Sequence, residues 1–281
     1  MAKPNSVRTI SSRLAQRIAM DLCCLACHFS TYQANQPVTV MGLPFPSPLG
    51  IAAGFDRYSR LGRRAALLGF GFNEVGSLTA DGLARLSPVK HGQARLGLNL
   101  TLDARRSWTE TCALLQTAWP LADYLVLNLI GPASVRLVEE PDRLHRMLSL
   151  LRHQQHALNT AGNRCVPLGA KLRCLPEQVP EYLTEVLLEL GFDGLIAAHD
   201  PGPPATRQRY RAWQDDRQQM QACMQIEQLH RLCGTDLALI SVGGIQTAGH
   251  LQARLDAGAQ LIQVHGALMR QGPWLARRLC G

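Results

Sequence analysis

Two glycine-containing segments near the C-terminus have the composition of a phosphate site. Gly243 and Gly244 follow one apolar run, and His265 and Gly266 follow the next. Because glycine has no side chain, the backbone N–H groups beside it can approach phosphate oxygens closely. Helical patterns begin soon after both segments, and the N-terminus of a helix favours anions. The two segments together predict a phosphate site, with turn-forming glycines as the alternative.

Other polar residues follow apolar runs earlier in the chain. His199 and Asp200 come directly after one such run, and Ser134 and Cys174 lie near the ends of two others. Histidine titrates near neutrality, so His199 is a candidate general acid or base. A loop histidine or a hydrogen-bond donor to phosphate is the alternative for His199. Ser134 is alternatively a turn cap, and Cys174 is alternatively a buried structural residue.

Eight short apolar runs must position these groups. They are nearly continuous in apolar residues, as parallel strands covered on both faces are. The predicted strands are 49–53, 72–76, 96–100, 124–129, 167–172, 194–198, 237–242 and 261–265. Helix-like segments alternate with them at 57–68, 105–119, 139–158, 177–190, 216–232 and 248–257. This alternation predicts an α/β fold, a (β/α)8 TIM barrel, with a doubly wound sheet as the alternative.

The segment before the first barrel strand has a helical pattern of its own. Apolar residues recur with a helical period at Val7, Ile10, Leu14, Ile18, Leu22 and Leu25. Residues 38–46 then predict a small hairpin that leads into the barrel. We therefore expect an N-terminal helical extension at 1–37 and a barrel at 38–281. The helix either covers the barrel or, since arginines accompany the apolar stripe, contacts an anionic membrane surface.

Composition is consistent with one intracellular barrel. The 281 residues are 46% hydrophobic, which suffices for a single core of barrel size. The nine cysteines are scattered and no secretory signal peptide is recognisable, so we expect a cytoplasmic protein. A net charge of +8 favours acidic partners, but no basic stripe interleaves with aromatic residues, so nucleic acid is not expected. His153 and His156 lack a third ligand, so no metal is predicted.

From residue 38 onward the chain resembles the dihydroorotate dehydrogenases. The resemblance is carried by segments 42–45, 48–56, 69–72 and 74–79, and by Asn99, Asn128 and Lys171. It implies an FMN site lined by Ala52, Ala53, Gly54, Ser77, Asn99, Asn128, Lys171, Gly243, Gly244, His265 and Gly266. In such a site Lys171 would place positive charge beside the N1–C2=O region of the flavin. A salt-bridged barrel lysine is the alternative. The quinone-linked members of that family carry a helical N-terminal membrane module.

Residues 128–134 depart from the family pattern, which reads Asn-x-Ser-Ser-Pro-Asn-Thr, or Cys in place of the second Ser. Gly131 occupies the position of the family's catalytic Ser or Cys, and Ala133 that of an asparagine that binds substrate. Arg57 replaces the family lysine that holds substrate and flavin. It keeps a positive charge but presents a planar fork.

Two loops also differ from the family. The loop that closes over orotate has no counterpart between Ser77 and Asn99, and residues 199–204 replace the family's Thr-Asn-Thr. A site built for a particular set of hydrogen bonds loses orders of magnitude in efficiency when several are removed. We therefore do not expect dihydroorotate to be the substrate.

The sequence predicts an FMN-dependent oxidoreductase that acts on a small anionic or heterocyclic molecule. Arg57 would bind its acidic group, Asn128 and Asn99 would orient it, and His199 would transfer protons. Quinone or O₂ would accept the electrons, and the cytoplasmic protein would lie at the inner face of the membrane if its N-terminal helix binds lipid. The alternative is a non-catalytic flavin-binding or apo barrel that serves as a partner subunit.

Overall fold

In the computed structural model of the protein, eight parallel strands close into a barrel. Residues 4–32, 36–88, 91–203 and 205–281 are described by the structure. A hairpin of β1 (Val38–Val40) and β2 (Leu43–Phe45) precedes the barrel strands, which are β3 (Leu49–Ile51), β4 (Phe72–Leu78), β5 (Arg95–Thr101), β6 (Tyr124–Asn128), β7 (Leu168–Cys174), β8 (Gly194–His199), β9 (Ala238–Val242) and β10 (Leu261–Val264). The closed order β10-β3-β4-β5-β6-β7-β8-β9 confirms the predicted TIM barrel and rules out a doubly wound sheet.

Helices cover the outside of the barrel. The α-helices are α1 (Pro4–Phe29), α2 (Ala80–Ala84), α3 (Trp108–Ala118), α4 (Val135–Val138), α5 (Pro141–Gly162), α6 (Glu181–Glu189), α7 (Arg209–Ala212), α8 (Asp216–Cys233), α9 (Ala248–Asp256), α10 (Gly266–Gln271) and α11 (Leu275–Cys280). Short 3-10 helices span Gly62–Leu68, Trp119–Leu121, Pro132–Ser134 and Ala205–Gln208. The predicted helix at 57–68 is wrong in its first half, which forms a loop.

Aromatic side chains close the bottom of the barrel. Phe45 of the hairpin lies 5.5 Å from Phe72 and 6.1 Å from Tyr124, measured between ring centroids. Glycines in neighbouring strands make room for these rings, because a Cβ at Gly50 would lie 2.4 Å from Phe72 and one at Gly97 would lie 2.2 Å from Tyr124. The hairpin therefore seals the end of the barrel opposite the strand C-termini.

Helix α1 packs against the barrel through a face of small and sulfur-containing residues. The buried residues of this face are Ala19, Met20, Cys23, Ala26 and Cys27. Gln16 donates hydrogen bonds to the carbonyls of Gly54 and Phe55, which fixes the helix beside the loop after β3. Larger apolar residues lie on an outer face, 48 to 79% exposed, at Leu14, Ile18, Leu22, Leu25 and Phe29. The helix therefore covers the side of the barrel while much of its apolar stripe remains exposed.

Some of the N-terminal predictions concern side chains outside the described part of the chain. The side chains of Val7 and Ile10 lie outside it, and the division into 1–37 and 38–281 stays a prediction. Among the described residues, no helix combines the length and the hydropathy that crossing a bilayer requires. That same part of the chain contains no group of three or more His, Cys, Asp or Glu side chains arranged to hold a metal ion.

Candidate active site

A cleft runs across the C-terminal ends of the barrel strands. It consists of a cavity of about 630 Å³ and a second of about 280 Å³, which share Ala53, Ile130 and Lys171 as lining residues. Of the predicted cofactor residues, those on the larger cavity are Ala53, Gly54, Ser77, Asn128 and Lys171. Those on the smaller cavity are Ala52, Ala53, Lys171, Gly243, Gly244, His265 and Gly266. The fold therefore brings residues from distant parts of the sequence into one cleft.

A directional chain of hydrogen bonds supports the floor of the larger cavity. Asn128 Nδ2 donates to Ser77 Oγ, and Ser77 Oγ donates to Asn99 Oδ1 over 2.6 Å. Asn99 Nδ2 then donates to Glu74 Oε1 over 2.9 Å, and Gln263 donates to the other oxygen of Glu74. Asn99 itself is fully buried behind Ser77 and lines neither cavity, so it supports the cavity floor from beneath instead of facing a ligand as predicted. The chain fixes which amide atoms of Asn128 remain available to a ligand.

Lys171 lies where the two cavities meet. Its ammonium is 3.8 Å from Glu74 Oε1, and the residue is only 6% exposed. Burial lowers the pKa of Lys171, and the negative charge of Glu74 opposes that effect. This pairing matches the salt-bridged lysine considered from the sequence. The Lys171 ammonium nevertheless lies beside the cleft, and among the described residues it donates no hydrogen bond to the protein. Lys171 can therefore donate to a polar group bound in the cleft.

Arg57 is presented by a loop that Asp56 organises. The fully buried Asp56 carboxylate accepts hydrogen bonds from the backbone N–H groups of Arg60, Leu61 and Gly62, at 2.8 to 3.1 Å. Asn73 of β4 donates a further bond over 2.8 Å. These bonds replace the helical turn predicted for this segment. They leave the Arg57 side chain on the wall of the larger cavity.

The 128–134 stretch is held rigidly although it lacks a side chain at Gly131. The Ile130 N–H donates to Asn128 Oδ1 over 3.1 Å, and the buried Ser134 hydroxyl lies 2.7 Å from the carbonyl oxygens of Asn128 and Leu102. Ser134 is therefore a turn-stabilising residue. Cys174 is fully buried as well, and burial raises the pKa of its thiol to about 12. Neither residue has the geometry of a nucleophile or a base.

His199 needs a correction, because its ring is fully engaged inside the protein. Its Nδ1 lies 2.7 Å from Gln225 Oε1, and its Nε2 lies 3.0 Å from Ser241 Oγ. Since Gln225 Oε1 accepts only, Nδ1 carries the proton and the neutral ring accepts from Ser241. Burial, together with the positive charge of Arg254, lowers the pKa of His199 to about 3. His199 borders the smaller cavity, but neither ring nitrogen is available to transfer a proton to a substrate.

The low pKa of His199 predicts a loss of stability in acid. The unfolded chain binds a proton at His199 below its ordinary pKa of 6.5, whereas the folded chain does so only near pH 3. The free energy of unfolding should therefore fall by about 1.4 kcal/mol per pH unit from this group as pH drops below 6.5. Between pH 7 and pH 5 the free energy of unfolding, measured with denaturant, should fall by about 2 kcal/mol less in His199→Gln than in the parent protein. An equal pH dependence of unfolding in the two proteins would contradict the low pKa of His199.

Asp200, the predicted neighbour of His199, also has a structural role. Its carboxylate accepts from the Gly202 N–H at 3.1 Å and from Arg209 Nη2 at 2.9 Å. These bonds hold the start of the loop after β8 and place Arg209 on the smaller cavity. Pro204, the last residue of the predicted 199–204 feature, lies outside the described residues.

The amino-acid sequence of the chain is similar to those of known enzymes. No family model matches the chain. It is 29% identical to the dihydroorotate dehydrogenase (quinone) of Chromobacterium violaceum, an alignment that covers 86% of this chain and 83% of the relative. It is 27% identical to the enzyme of the same name from Cellvibrio japonicus, over 85% and 83% of the two chains. The resemblance to dihydroorotate dehydrogenases is confirmed.

Solved structures support the fold of this dihydroorotate dehydrogenase-like barrel. DHODH from Eimeria tenella in complex with ferulenol superposes with a TM-score of 0.76 at 20% identity, over 95% of this chain and 89% of the other. The ligand-free form of DHODH from Eimeria tenella gives the same TM-score over 95% and 92% of the two chains. At 20% identity the superposition establishes a shared barrel fold. The chemistry has to be argued from the side chains of this chain.

The residues of the smaller cavity fit the phosphate end of FMN. Gly243 and Gly244 have φ angles of +120° and +86°, which side chains rarely allow, so their backbone can face a ligand directly. A Cβ at Gly266 would meet only Tyr210, at 3.8 Å, so the space beside it is open. Arg209 also lines this cavity, and although its charge is paired with Asp200, its remaining N–H groups can donate to a bound anion. Together with Lys171 at the junction, these groups suit a phosphate at one end and a polar ring at the other.

Several residues of the cleft were not predicted from the sequence. Glu74 and Gln263 are buried polar residues inside strands, and Gln263 interrupts an otherwise apolar run, which is a recognisable signal. Tyr58, Arg85 and Arg209 line the cavities from loops or short helices, where no periodic pattern marks them. Their placement depends on the closure of the barrel and cannot be obtained from local sequence.

Proposed function

We propose that this protein is an FMN-dependent oxidoreductase whose substrate is a small anionic or heterocyclic molecule other than dihydroorotate. Lys171 carries the proposal. Its buried ammonium is paired with Glu74 on one side and borders the cleft on the other. Lys171 also lines the smaller cavity, which contains the glycines. A buried charge is expensive to maintain, and a lysine at such a junction is well suited to neutralise charge on a bound ring.

The proposed roles follow from where each side chain lies. Gly243, Gly244 and Gly266 would hold the FMN phosphate, and Lys171 would stabilise negative charge on the ring. FMN, when bound, supplies the two-electron redox chemistry. Asn128 would orient the substrate with the amide atoms that its bonds to Ser77 and Ile130 leave free. Arg57 would bind an acidic group of the substrate, because a guanidinium forms paired hydrogen bonds with a carboxylate.

The lack of a base at Gly131 argues against dihydroorotate as the substrate. A Cβ at Gly131 would have Asn128 Nδ2 at 3.9 Å and Ser134 Oγ at 4.0 Å as its nearest neighbours, which is ordinary contact. The backbone there, with φ −74° and ψ 155°, suits any residue. Steric constraint therefore does not explain the glycine.

Gly131→Ser should consequently fold normally but gain no dihydroorotate activity. We expect its stability to stay within about 0.5 kcal/mol of the parent protein, as for substitutions that disturb no contact. Ala133 and Arg57 would still fail to supply the family's substrate contacts, so a new hydroxyl alone restores no recognition. The measurement is denaturant unfolding together with anaerobic flavin bleaching by dihydroorotate. Bleaching at turnover rates by the variant would show that the missing base alone had changed the substrate.

We infer that a quinone is the electron acceptor, with O₂ as the alternative. A third cavity, of about 240 Å³, lies between α1 and the loop after β3. It shares Arg57 and Tyr58 with the larger cavity and therefore adjoins the cleft on the side of α1. The relatives are named as quinone-linked enzymes, and a membrane-soluble acceptor would arrive from the side of the protein that carries exposed apolar residues.

We further propose that α1 binds the surface of a membrane. Leu14, Ile18, Leu22 and Leu25 recur at helical spacing and are all exposed, as on helices that lie in a lipid interface. Ile18→Ser with Leu22→Ser should reduce sedimentation with anionic phospholipid vesicles several-fold while the melting temperature changes little. Met220→Ser with Met224→Ser is the matched control, because those residues are similarly exposed on α8. Equal vesicle binding by both double variants would count against a membrane role for α1.

The absorbance spectrum of the purified protein tests the cofactor proposal. We expect a flavin spectrum after incubation with FMN and gel filtration, with one FMN per chain. A colourless protein that takes up no FMN would instead favour the apo barrel acting as a partner subunit. A protein that holds FMN but is reduced by no small molecule would favour the non-catalytic flavin-binding alternative.

A further inference from the structure

The larger cavity has an excess of positive charge. Its charged lining residues are Arg57, Arg85 and Lys171, against the single carboxylate of Asp81. Glu74 lies beneath Lys171 and balances its charge from inside the barrel. The two guanidiniums are therefore the cationic groups available to a molecule in this cavity, and they give it a field that attracts anions.

Neither Arg57 nor Arg85 forms an ion pair within the described residues. Some arginines elsewhere on the barrel do, for example Arg60 with Asp21 at 2.7 Å and Arg152 with Asp193 at 2.6 Å. The side chains of Arg57 and Arg85 also make none of the hydrogen bonds seen among the described residues, although both lie at a cavity of about 630 Å³. The flavin ring proposed beside Lys171 would occupy part of this cavity, so the part beside Arg57 and Arg85 is the one available to a substrate.

Two separate loops position these arginines. Arg57 belongs to the loop after β3, which the Asp56 carboxylate holds by accepting hydrogen bonds from backbone N–H groups. Arg85 ends α2, the short helix after β4, whose first turn is capped by Thr79 Oγ1 accepting from the Gly82 N–H at 3.3 Å. The Arg85 N–H in turn donates to the Gly82 carbonyl at 3.2 Å. The backbones that carry the two arginines are thus held independently, and each guanidinium is free to bind its own acidic group.

We propose that the substrate carries two acidic groups, one bound by Arg57 and the other by Arg85. This deepens the proposed function, on which it rests, by naming a diacid as the substrate class. Carboxylate and phosphate both match the fork of a guanidinium, so the second acidic group is either of these. Arg85 is accordingly the residue that separates a diacid from a monoacid.

Titration calorimetry with three ring compounds tests this proposal on the FMN-incubated protein. Benzoate carries one acidic group, benzene-1,3-dicarboxylate carries two carboxylates, and 3-carboxyphenyl phosphate replaces one carboxylate by phosphate. We expect at least one of the diacids to bind at least tenfold more tightly than benzoate. The tighter of the two identifies the second acidic group.

Arg85→Ala should bring the affinity for that diacid down to the level of benzoate while benzoate itself changes less than twofold. Arg85→Lys should keep part of the preference, and Arg57→Ala should weaken all three compounds. Arg136→Ala, an exposed arginine on α4 away from the cavity, is the control and should match the parent protein. Melting temperatures should be unchanged in Arg85→Ala, since its side chain forms no hydrogen bond or ion pair among the described residues.

The proposal is overturned if neither diacid binds more tightly than benzoate, or if Arg85→Ala keeps the preference. Absence of binding by all three compounds has the same consequence. Flavin content, read by absorbance before each titration, separates this outcome from failure of the proposed function. A protein without FMN fails the cofactor proposal, whereas an FMN-loaded protein without a diacid preference fails only the inference about Arg85.

Discussion

Lys171→Met is expected to weaken FMN binding by roughly 10- to 100-fold, because hydrogen bonds to charged groups contribute about 1.5–3 kcal/mol. Methionine keeps most of the length of the lysine side chain but removes the ammonium at the junction of the two cavities. The substitution should also lower the free energy of unfolding. Glu74 is completely buried, and without Lys171 its carboxylate lacks the counter-charge at 3.8 Å. Breaking a buried pair on one side typically costs about 3–5 kcal/mol.

A second substitution separates the two effects of Lys171→Met. Glu74→Gln in the same chain removes the stranded carboxylate while keeping a side-chain oxygen that can accept from Asn99. The double variant should regain most of the lost stability, but it should still bind FMN as weakly as Lys171→Met. Fluorescence titration with FMN and denaturant unfolding measure the two quantities separately. An FMN affinity that is unchanged in Lys171→Met would remove Lys171 from the proposed flavin site.

Gly266→Val should abolish tight FMN binding without unfolding the barrel. A Cβ at this position has only Tyr210 within 4 Å, at 3.8 Å, so the protein itself tolerates a side chain. The added atoms would instead enter the space proposed for the phosphate, at the start of α10. Losing even two charge-assisted bonds there corresponds to at least a 100-fold increase in Kd, at about 1.5–3 kcal/mol each. Riboflavin lacks the phosphate, so its affinity should change much less.

Gly249→Val is the matched control for this prediction. Gly249 lies in the first turn of α9, and a Cβ there would meet only Thr247 Oγ1, at 3.8 Å. The substitution is the same and the helical context is similar, but this position does not line the cleft. Gly249→Val should bind FMN like the parent protein, and both variants should be similarly stable. If Gly266→Val bound FMN normally, the phosphate could not lie in the smaller cavity as proposed.

The barrel is largely predictable from the sequence because parallel strands covered on both faces are apolar throughout. The predicted strands at 72–76 and 194–198, for example, are observed as Phe72–Leu78 and Gly194–His199. The residues missed at the ends are Ser77, Leu78 and His199, two of which are polar. They extend the strands through pairing with neighbours, which a local pattern does not contain.

Helix α1 shows where periodicity alone is insufficient. The stripe of Leu14, Ile18, Leu22 and Leu25 predicts the helix correctly, and covering the barrel through this stripe would be the simplest packing. Ala19, Cys23 and other residues of the opposite face pack against the barrel instead, and their small side chains allow the helix to lie closer to it. A hydrophobic pattern gives the period of a helix, but which face meets the protein depends on the surface it packs against.

Some residues of the candidate site are predictable from the sequence and others are not. The glycines and Lys171 were accessible through motifs, and the structure brings them into one cleft. Residue type and strand position predict an acid/base role for His199, yet Gln225 and Ser241 engage both of its ring nitrogens. Those partners lie 26 and 42 residues away along the chain. Residue type therefore identified a titratable group, and only tertiary structure reveals that its nitrogens are occupied.

Anaerobic reduction of the FMN-loaded protein tests the central claim most directly, namely that the cleft keeps its flavin side and has lost its orotate side. The protein is mixed with excess L-dihydroorotate, and then with dithionite, while the visible flavin absorbance is followed. We predict that dihydroorotate leaves the absorbance unchanged over many minutes and that dithionite bleaches it completely. Rapid bleaching by dihydroorotate would contradict the account, because the chemistry would then proceed without the residues that Gly131 and Ala133 replace.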